Sequence, residues 1–220
     1  MNLRGPDISS AELAGVLTNC PRPVAIVQCA SASGPFLPAL SAPGRVVIVA
    51  TRSGNEVNAT RFGGYLAQAV VDPAADLDKD GQISLLEAFL MASRQADRFY
   101  REDGRLATEH ALIDDNGDGL GTPFDWFRGV HAVRTASGGK SVDGVRAHQW
   151  ILVRGESERQ LSPAARAQRD ALELQLGALR LQKSQLEESA YYDRLEKIVS
   201  AIAVLYQSAT PANDSATSGK

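Results

Sequence analysis

Val24-Ala25-Ile26-Val27, then Ala30-Ser31-Ala32-Ser33-Gly34, then Arg45-Val46-Val47-Ile48-Val49-Ala50: the reading of these three stretches decides the fold. The first and third are continuous apolar runs rich in β-branched residues. Continuous rather than alternating apolarity marks strands covered on both faces, as in a parallel sheet. Upstream, Ser9-Ser10-Ala11-Glu12 has capping-box spacing, with Leu13, Val16 and Leu17 at helical intervals until Pro21 and Pro23. Downstream, residues 59–71 and Ser84 to about Arg101 read as helices. Helix and strand therefore alternate, which predicts an α/β domain with a mostly parallel sheet. The stretch 104–147 is glycine-rich and loop-like, and His148–Val153 reads as a further strand.

Composition changes after Gly155. Ser162-Pro163 supplies an N-cap and a first-turn proline, and Leu172, Leu176, Leu179 and Leu186 follow on one stripe. Glu187-Glu188-Ser189 reads as a turn. Tyr191, Leu195, Ile198, Ile202 and Leu205 then mark a second amphipathic helix. The chain is thus expected to hold an α/β domain over 1–155, an α-helical hairpin or short coiled coil over 160–206, and a disordered tail over 207–220. The hairpin is a candidate surface for self-association or a protein partner.

The 220 residues carry a net charge of −3 and are 44% hydrophobic, which excludes disordered and fibrous classes. All but five of the 23 lysines and arginines are arginine, spread without a cluster. A nucleic-acid partner is therefore not expected. No apolar run approaches the roughly 18 residues of a membrane span, and no signal peptide is visible, so the residues assign no compartment. Cys20 and Cys29 make neither a disulfide framework nor a zinc site.

The sharpest motif is Asp76-Leu77-Asp78-Lys79-Asp80-Gly81-Gln82-Ile83-Ser84-Leu85-Leu86-Glu87. It fits the twelve-residue EF-hand loop for Ca2+. Asp76, Asp78 and Asp80 stand at positions one, three and five. Gly81 permits the turn at six, and Gln82 offers its carbonyl at seven. Ser84 stands at nine, and Glu87 at twelve offers two oxygens. A hard cation needs this many oxygens, and the carboxylates would otherwise repel one another. Pro73 stops the incoming helix early, so the loop reads as one built into an α/β domain. A second candidate spans 114–125, with Asp114, Asn116, Asp118, Leu120 and Asp125 as its ligand set. There Gly121 replaces the apolar residue of position eight, and Asp125 is a shorter carboxylate at twelve. Its alternative reading is a plain Asx-turn loop.

Three stretches together resemble the legumain and caspase-like cysteine peptidases. Ala30-Ser31-Ala32-Ser33-Gly34 after the first strand is similar to that family's nucleophile turn. Ala50-Thr51-Arg52-Ser53-Gly54-Asn55-Glu56 after the second is similar to its Ala-Thr turn and specificity loop. Arg61-Phe62-Gly63-Gly64-Tyr65 and Thr108–Asp115 look similar to bacterial members. The resemblance covers residues 1–130 and implies the later part of a three-layer sandwich. The nucleophile position falls on Ser31 rather than cysteine, and Cys29 lies two residues earlier. His110, His131 and His148 all lie downstream, whereas in caspases the base precedes the nucleophile by about 50 residues. The expectation is a proteolytically inactive, calcium-binding chain. The alternative is a cysteine endopeptidase with Cys29 as nucleophile and its histidine on a missing upstream segment.

Overall fold

The computed structural model describes residues 8–139 and 141–209. The chain forms two compact units, Met1–Val153 and Arg154–Lys220.

In the first unit, α1 (Ser10–Leu17) opens with the expected reciprocal cap: Ser9 Oγ accepts the Glu12 N–H, and Glu12 accepts the Ser9 N–H at 2.8 Å. Strand β1 (Val24–Gln28) runs parallel to β2 (Arg45–Val49), with α2 (Phe36–Leu40) in the crossover between them. Two further strands complete the sheet in the order β1-β2-β4-β5: β4 (Leu112–Asp114) and β5 (Thr122–Pro123). Both of these join antiparallel, Ile48 facing Ile113 and Ile113 facing Thr122. The fold is therefore α/β with a mixed sheet, not the mostly parallel one expected. A parallel pair needs a crossover of a dozen or more residues, which the β1–β2 segment has and the short 115–121 turn lacks, so β5 returns antiparallel to β4. The long 50–111 connection would allow either direction, and β4 runs antiparallel to β2.

Strand β2 is the buried spine. Its side chains alternate between faces, as the pleat requires. Val47 and Val49 pack with Leu37 and Leu40, beside Leu13 and Leu17 of α1. Val46 and Ile48 pack with Phe62 of α3 (Phe62–Ala69) and with Leu86, Phe89 and Leu90 of α4 (Leu85–Glu102). Helices thus cover both faces, which is why the run reads as continuously apolar.

Ahead of α4, β3 (Ile83–Ser84) pairs antiparallel with β8 (Ile151–Val153) in a separate two-stranded sheet. A hairpin of β6 (Phe127–Arg128) and β7 (His131–Ala132) stands between. The strand expected over 148–153 is shorter than expected, because His148 and Gln149 end α5 (Val145–Gln149). Gly144, at φ +109°, starts that helix.

In the second unit, α6 (Glu156–Gln160) precedes α7 (Pro163–Leu181), which packs against α8 (Glu188–Ala209). Ser162 caps α7 through the Ala165 N–H, with Pro163 in the first turn. The turn expected at 187–189 lies earlier: a 3₁₀ turn at Lys183–Gln185 makes the reversal, and Glu188 is already helical. Arg169 is buried and holds the three helices together. It pairs with Glu158 at 2.6 Å and donates to the Tyr206 hydroxyl at 3.0 Å. Residues 207–209, expected in the tail, belong to α8; the rest of that tail lies outside the described residues. No helix among the described residues is long and apolar enough to cross a membrane.

Candidate metal centre

The 76–87 loop is built from its own side chains inward. Asp76 Oδ2 accepts the Gly81 N–H at 3.1 Å, Asp78 Oδ1 that of Asp80 at 3.2 Å, and Asp80 Oδ1 that of Gln82 at 2.8 Å. These short-range bonds wind the chain around the three carboxylates. Lys79 and Gly81 both take left-handed φ, +64° and +82°, where glycine is the residue of least cost. One carboxylate oxygen from each of Asp76, Asp78 and Asp80 lies within 4.8 Å of the other two. Asp76 Oδ1 is buried and has no hydrogen-bond partner.

Glu87 closes the loop from α4. It is 1% exposed. Its Oε1 accepts the Leu77 N–H at 2.7 Å, and its Oε2 accepts the Ser84 N–H and Oγ–H, both at 2.9 Å. Ser84 in turn accepts the Glu87 N–H, so the residues expected at positions nine and twelve form a capping box on α4. Gln82 donates its side-chain amide to Asp80 Oδ2 at 2.8 Å. The structure brings one unforeseen group to the loop: His148 Nε2 lies 3.0 Å from Asp78 Oδ2. Asp78, Glu87 and His148 form a second set of close ligand atoms.

The 114–125 loop repeats the winding. Gly119 donates to Asp114 Oδ2 at 2.8 Å, Asp118 to Asn116 Oδ1 at 2.9 Å, and Leu120 to Asp118 Oδ1 at 2.9 Å. These are the same three relative positions as in the first loop. Gly117 and Gly119 take the left-handed φ held there by Lys79 and Gly81. The loops differ in what surrounds them. Asp114 also accepts from Gly117 at 2.9 Å and from the Ser41 hydroxyl at 2.6 Å. Gly121 has no room for a side chain, since a Cβ there would lie 2.8 Å from Leu112 Cβ and from Leu37 Cδ1. This is the physical reason the apolar residue of position eight is missing. Asp125 sits in a 3₁₀ turn, Phe124–Trp126, and lines a cleft of the same unit.

Helix α5 touches both loops. Asp115 accepts the Gly144 and Ala147 N–H groups at 2.9 and 2.8 Å, holding the start of the helix. His148, at its end, reaches Asp78. Asp143 accepts the Asp115 N–H at 3.0 Å and the Thr122 hydroxyl. Burial, reinforced by Asp115 and Asp114 nearby, pushes the Asp143 carboxyl up to about 7, and burial also raises Asp115.

The turns at 30–34 and 50–56 meet at the end of β2. Ser31 is exposed. Ser33 is the buried serine: its Oγ accepts the Ala50 and Thr51 N–H groups, both at 3.1 Å, and lies 3.2 Å from Thr51 Oγ1. Thr51 Oγ1 accepts the Gly34 N–H at 3.0 Å. The two turns therefore brace each other across the end of β2. Cys29 is half-buried, and burial raises its thiol. Its side chain lies under α3, where a Cβ on Gly63 would come 2.8 Å from Cys29 Cβ. Among the described residues the thiol has no hydrogen-bond partner. His110 Nδ1 instead lies 2.6 Å from Glu56 Oε1.

Comparison with protein families, with curated proteins and with solved structures gives no match.

Proposed function

We propose that the chain binds a divalent cation, calcium, in the 76–87 loop, read as an EF-hand loop set into an α/β domain. The observation that carries this is the gathering of the Asp76, Asp78 and Asp80 carboxylates within one ion's reach, with Asp76 Oδ1 buried and unpartnered. Calcium takes six to eight oxygens, and carboxylates with main-chain carbonyls are its usual protein ligands. Asp76, Asp78, Asp80 and the Gln82 carbonyl would hold it, Ser84 through water, and Glu87 from α4. The bound ion would supply positive charge that relieves carboxylate repulsion and ties the segment after α3 to α4. Its role is structural: Glu87 and Ser84 already organise the start of α4 around the loop.

The finer fold reading, the later part of a caspase-like sandwich, rests on the motif-bearing turns at 30–34 and 50–56. Its support is that both turns meet at the end of β2. The raised, unpartnered Cys29 thiol favours a chain inactive as a peptidase by itself over the endopeptidase alternative. Iodoacetamide labelling near neutral pH tests this, because a thiolate is the reacting species. Labelling no faster than that of a free cysteine is expected; rapid labelling would favour the endopeptidase.

The cation reading is tested by calorimetric calcium titration and melting of the whole chain, beside Glu87→Ala and Asp118→Ala. Saturable binding and a calcium-dependent rise in Tm are expected, both lost in Glu87→Ala. A phase lost only in Asp118→Ala would add the second loop. No heat and no Tm rise at millimolar calcium would overturn the reading.

A further inference from the structure

A cleft in the first unit, apart from the 76–87 loop and sharing only Asp125 with the ligand set of the 114–125 loop, is lined on its apolar side by Phe62 and Phe124 and on its polar side by Ser93, Asp97, Glu109 and Asp125. Two of its polar groups are deeply buried. Ser93 is 4% exposed, and its Oγ has no hydrogen-bond partner. A buried hydroxyl without a partner carries an uncompensated desolvation cost, so the cleft holds a polar group ready for a ligand. Glu109 is 6% exposed.

The charges give the ligand its sign. Arg101 is the cationic side chain of the lining and pairs with Asp97 at 2.6 Å; against it the lining sets three carboxylates, Asp97, Glu109 and Asp125. His110, which also lines the cleft, faces Glu56. Asp125 forms no ion pair among the described residues. Glu109 is held in place by the Arg61 and Phe62 N–H groups at the start of α3 and by the Tyr100 hydroxyl at 3.1 Å. Those bonds fix the carboxylate against the start of α3, from where Glu109 contributes a negative field to the cleft. Ser93 and Asp125 remain as direct acceptors. An anion would meet three carboxylates against one guanidinium, and a purely apolar ligand would leave the buried hydroxyl unsatisfied.

The geometry points to a binding site for a small organic cation, an amine or guanidinium on a short apolar stem, with the head on Ser93 and Asp125 and the stem against Phe124 and Pro123. The same chemistry comes from a free amine or from a basic side chain of a peptide. This inference does not depend on cation binding in the 76–87 loop.

The test follows the backbone amide spectrum of the whole chain, with chelator and again with calcium, during titration by agmatine. Acetyl-arginine-methylamide, 1-pentanol and pentanoate are the comparison probes. Agmatine is expected to shift resonances around Phe62, Ser93 and Phe124 to saturation. Asp125→Asn, on an exposed side chain, is expected to weaken it about tenfold and Ser93→Ala roughly threefold, and added salt should weaken it in the parent. Tighter binding of the arginine derivative than of agmatine identifies a peptide side chain as the source; the reverse identifies a free amine. The inference is overturned by no saturable shift below roughly 50 mM agmatine, by pentanol or pentanoate binding as well as agmatine, or by both variants binding like the parent.

Discussion

Asp115 and Asp143 hold each other's surroundings in place: Asp143 Oδ1 accepts the Asp115 N–H at 3.0 Å, while Asp115 Oδ1 accepts the N–H of Gly144, the residue after Asp143, at 2.9 Å. Two carboxyls, 3% and 4% exposed, thus share one buried corner.

The corner makes stability depend on pH. Asp143 rises from its ordinary 3.8 to about 7 in the fold, so between those values the native chain binds more protons than the unfolded one. Unfolding free energy must then fall as pH rises through that window. A shift of this size amounts to a few kcal/mol, at about 2–4 °C per kcal/mol for a chain of this length. Melting in chelator is expected to give a higher Tm near pH 5 than near pH 7.5 from this pair, and Asp143→Asn should flatten the difference. An unchanged slope in Asp143→Asn would refute the assignment.

Ser33 and Ser31 separate a structural serine from an exposed one. Ser33→Ala strips the acceptor from the Thr51 N–H, while the Ala50 N–H keeps the Gln28 carbonyl at 2.9 Å, and should cost about 1–3 kcal/mol for the one orphaned buried donor. Ser31→Ala should be neutral within about 0.5 kcal/mol. Urea unfolding of the two variants checks both.

Gly121→Ala places a methyl 2.8 Å from Leu112 and Leu37. Overpacking of this kind costs about 1–3 kcal/mol. Restoring the apolar residue of the calcium-loop pattern with Gly121→Ile should therefore lower stability further. Denaturation midpoints measure the order of the three proteins.

Arg169→Leu leaves Glu158, 2% exposed, with only Arg166 at 3.4 Å. A buried charge deprived of its main partner costs about 3–5 kcal/mol. The double variant Glu158→Leu/Arg169→Leu should recover much of that loss. A double-mutant cycle read by helical circular dichroism tests it.

Legibility followed the range of the interaction that fixes each element. Ser9 with Glu12 acts three residues apart, and that cap shows in the sequence as spacing; Ser84 with Glu87 has the same spacing, but there the calcium-loop pattern reads the two residues as positions nine and twelve. The runs of β1 and β2 are long enough to show their burial as composition. Strand β4 is three residues, Leu112–Asp114, too short for a periodic signal, so the antiparallel return could not be read. Helix α5 hides because its start is held by Asp115, far earlier in the chain, while Ile151–Val153 lends its β-prone signal to the whole 148–153 stretch. The same distance in sequence concealed His148 beside Asp78 and the unpartnered Ser93 hydroxyl, whose cleft is assembled from separate segments.

Helix α5 has five residues, too few to hold a helix unaided in water. Its order is borrowed from Asp115 at one end and, through His148, from Asp78 at the other. The two acidic loops are thereby yoked by a strut that belongs to neither. Sequence drift in one loop is then constrained by the other, so that changes at Asp78 or His148 and at Asp115 or Gly144 should arise as linked sets among descendants of this chain.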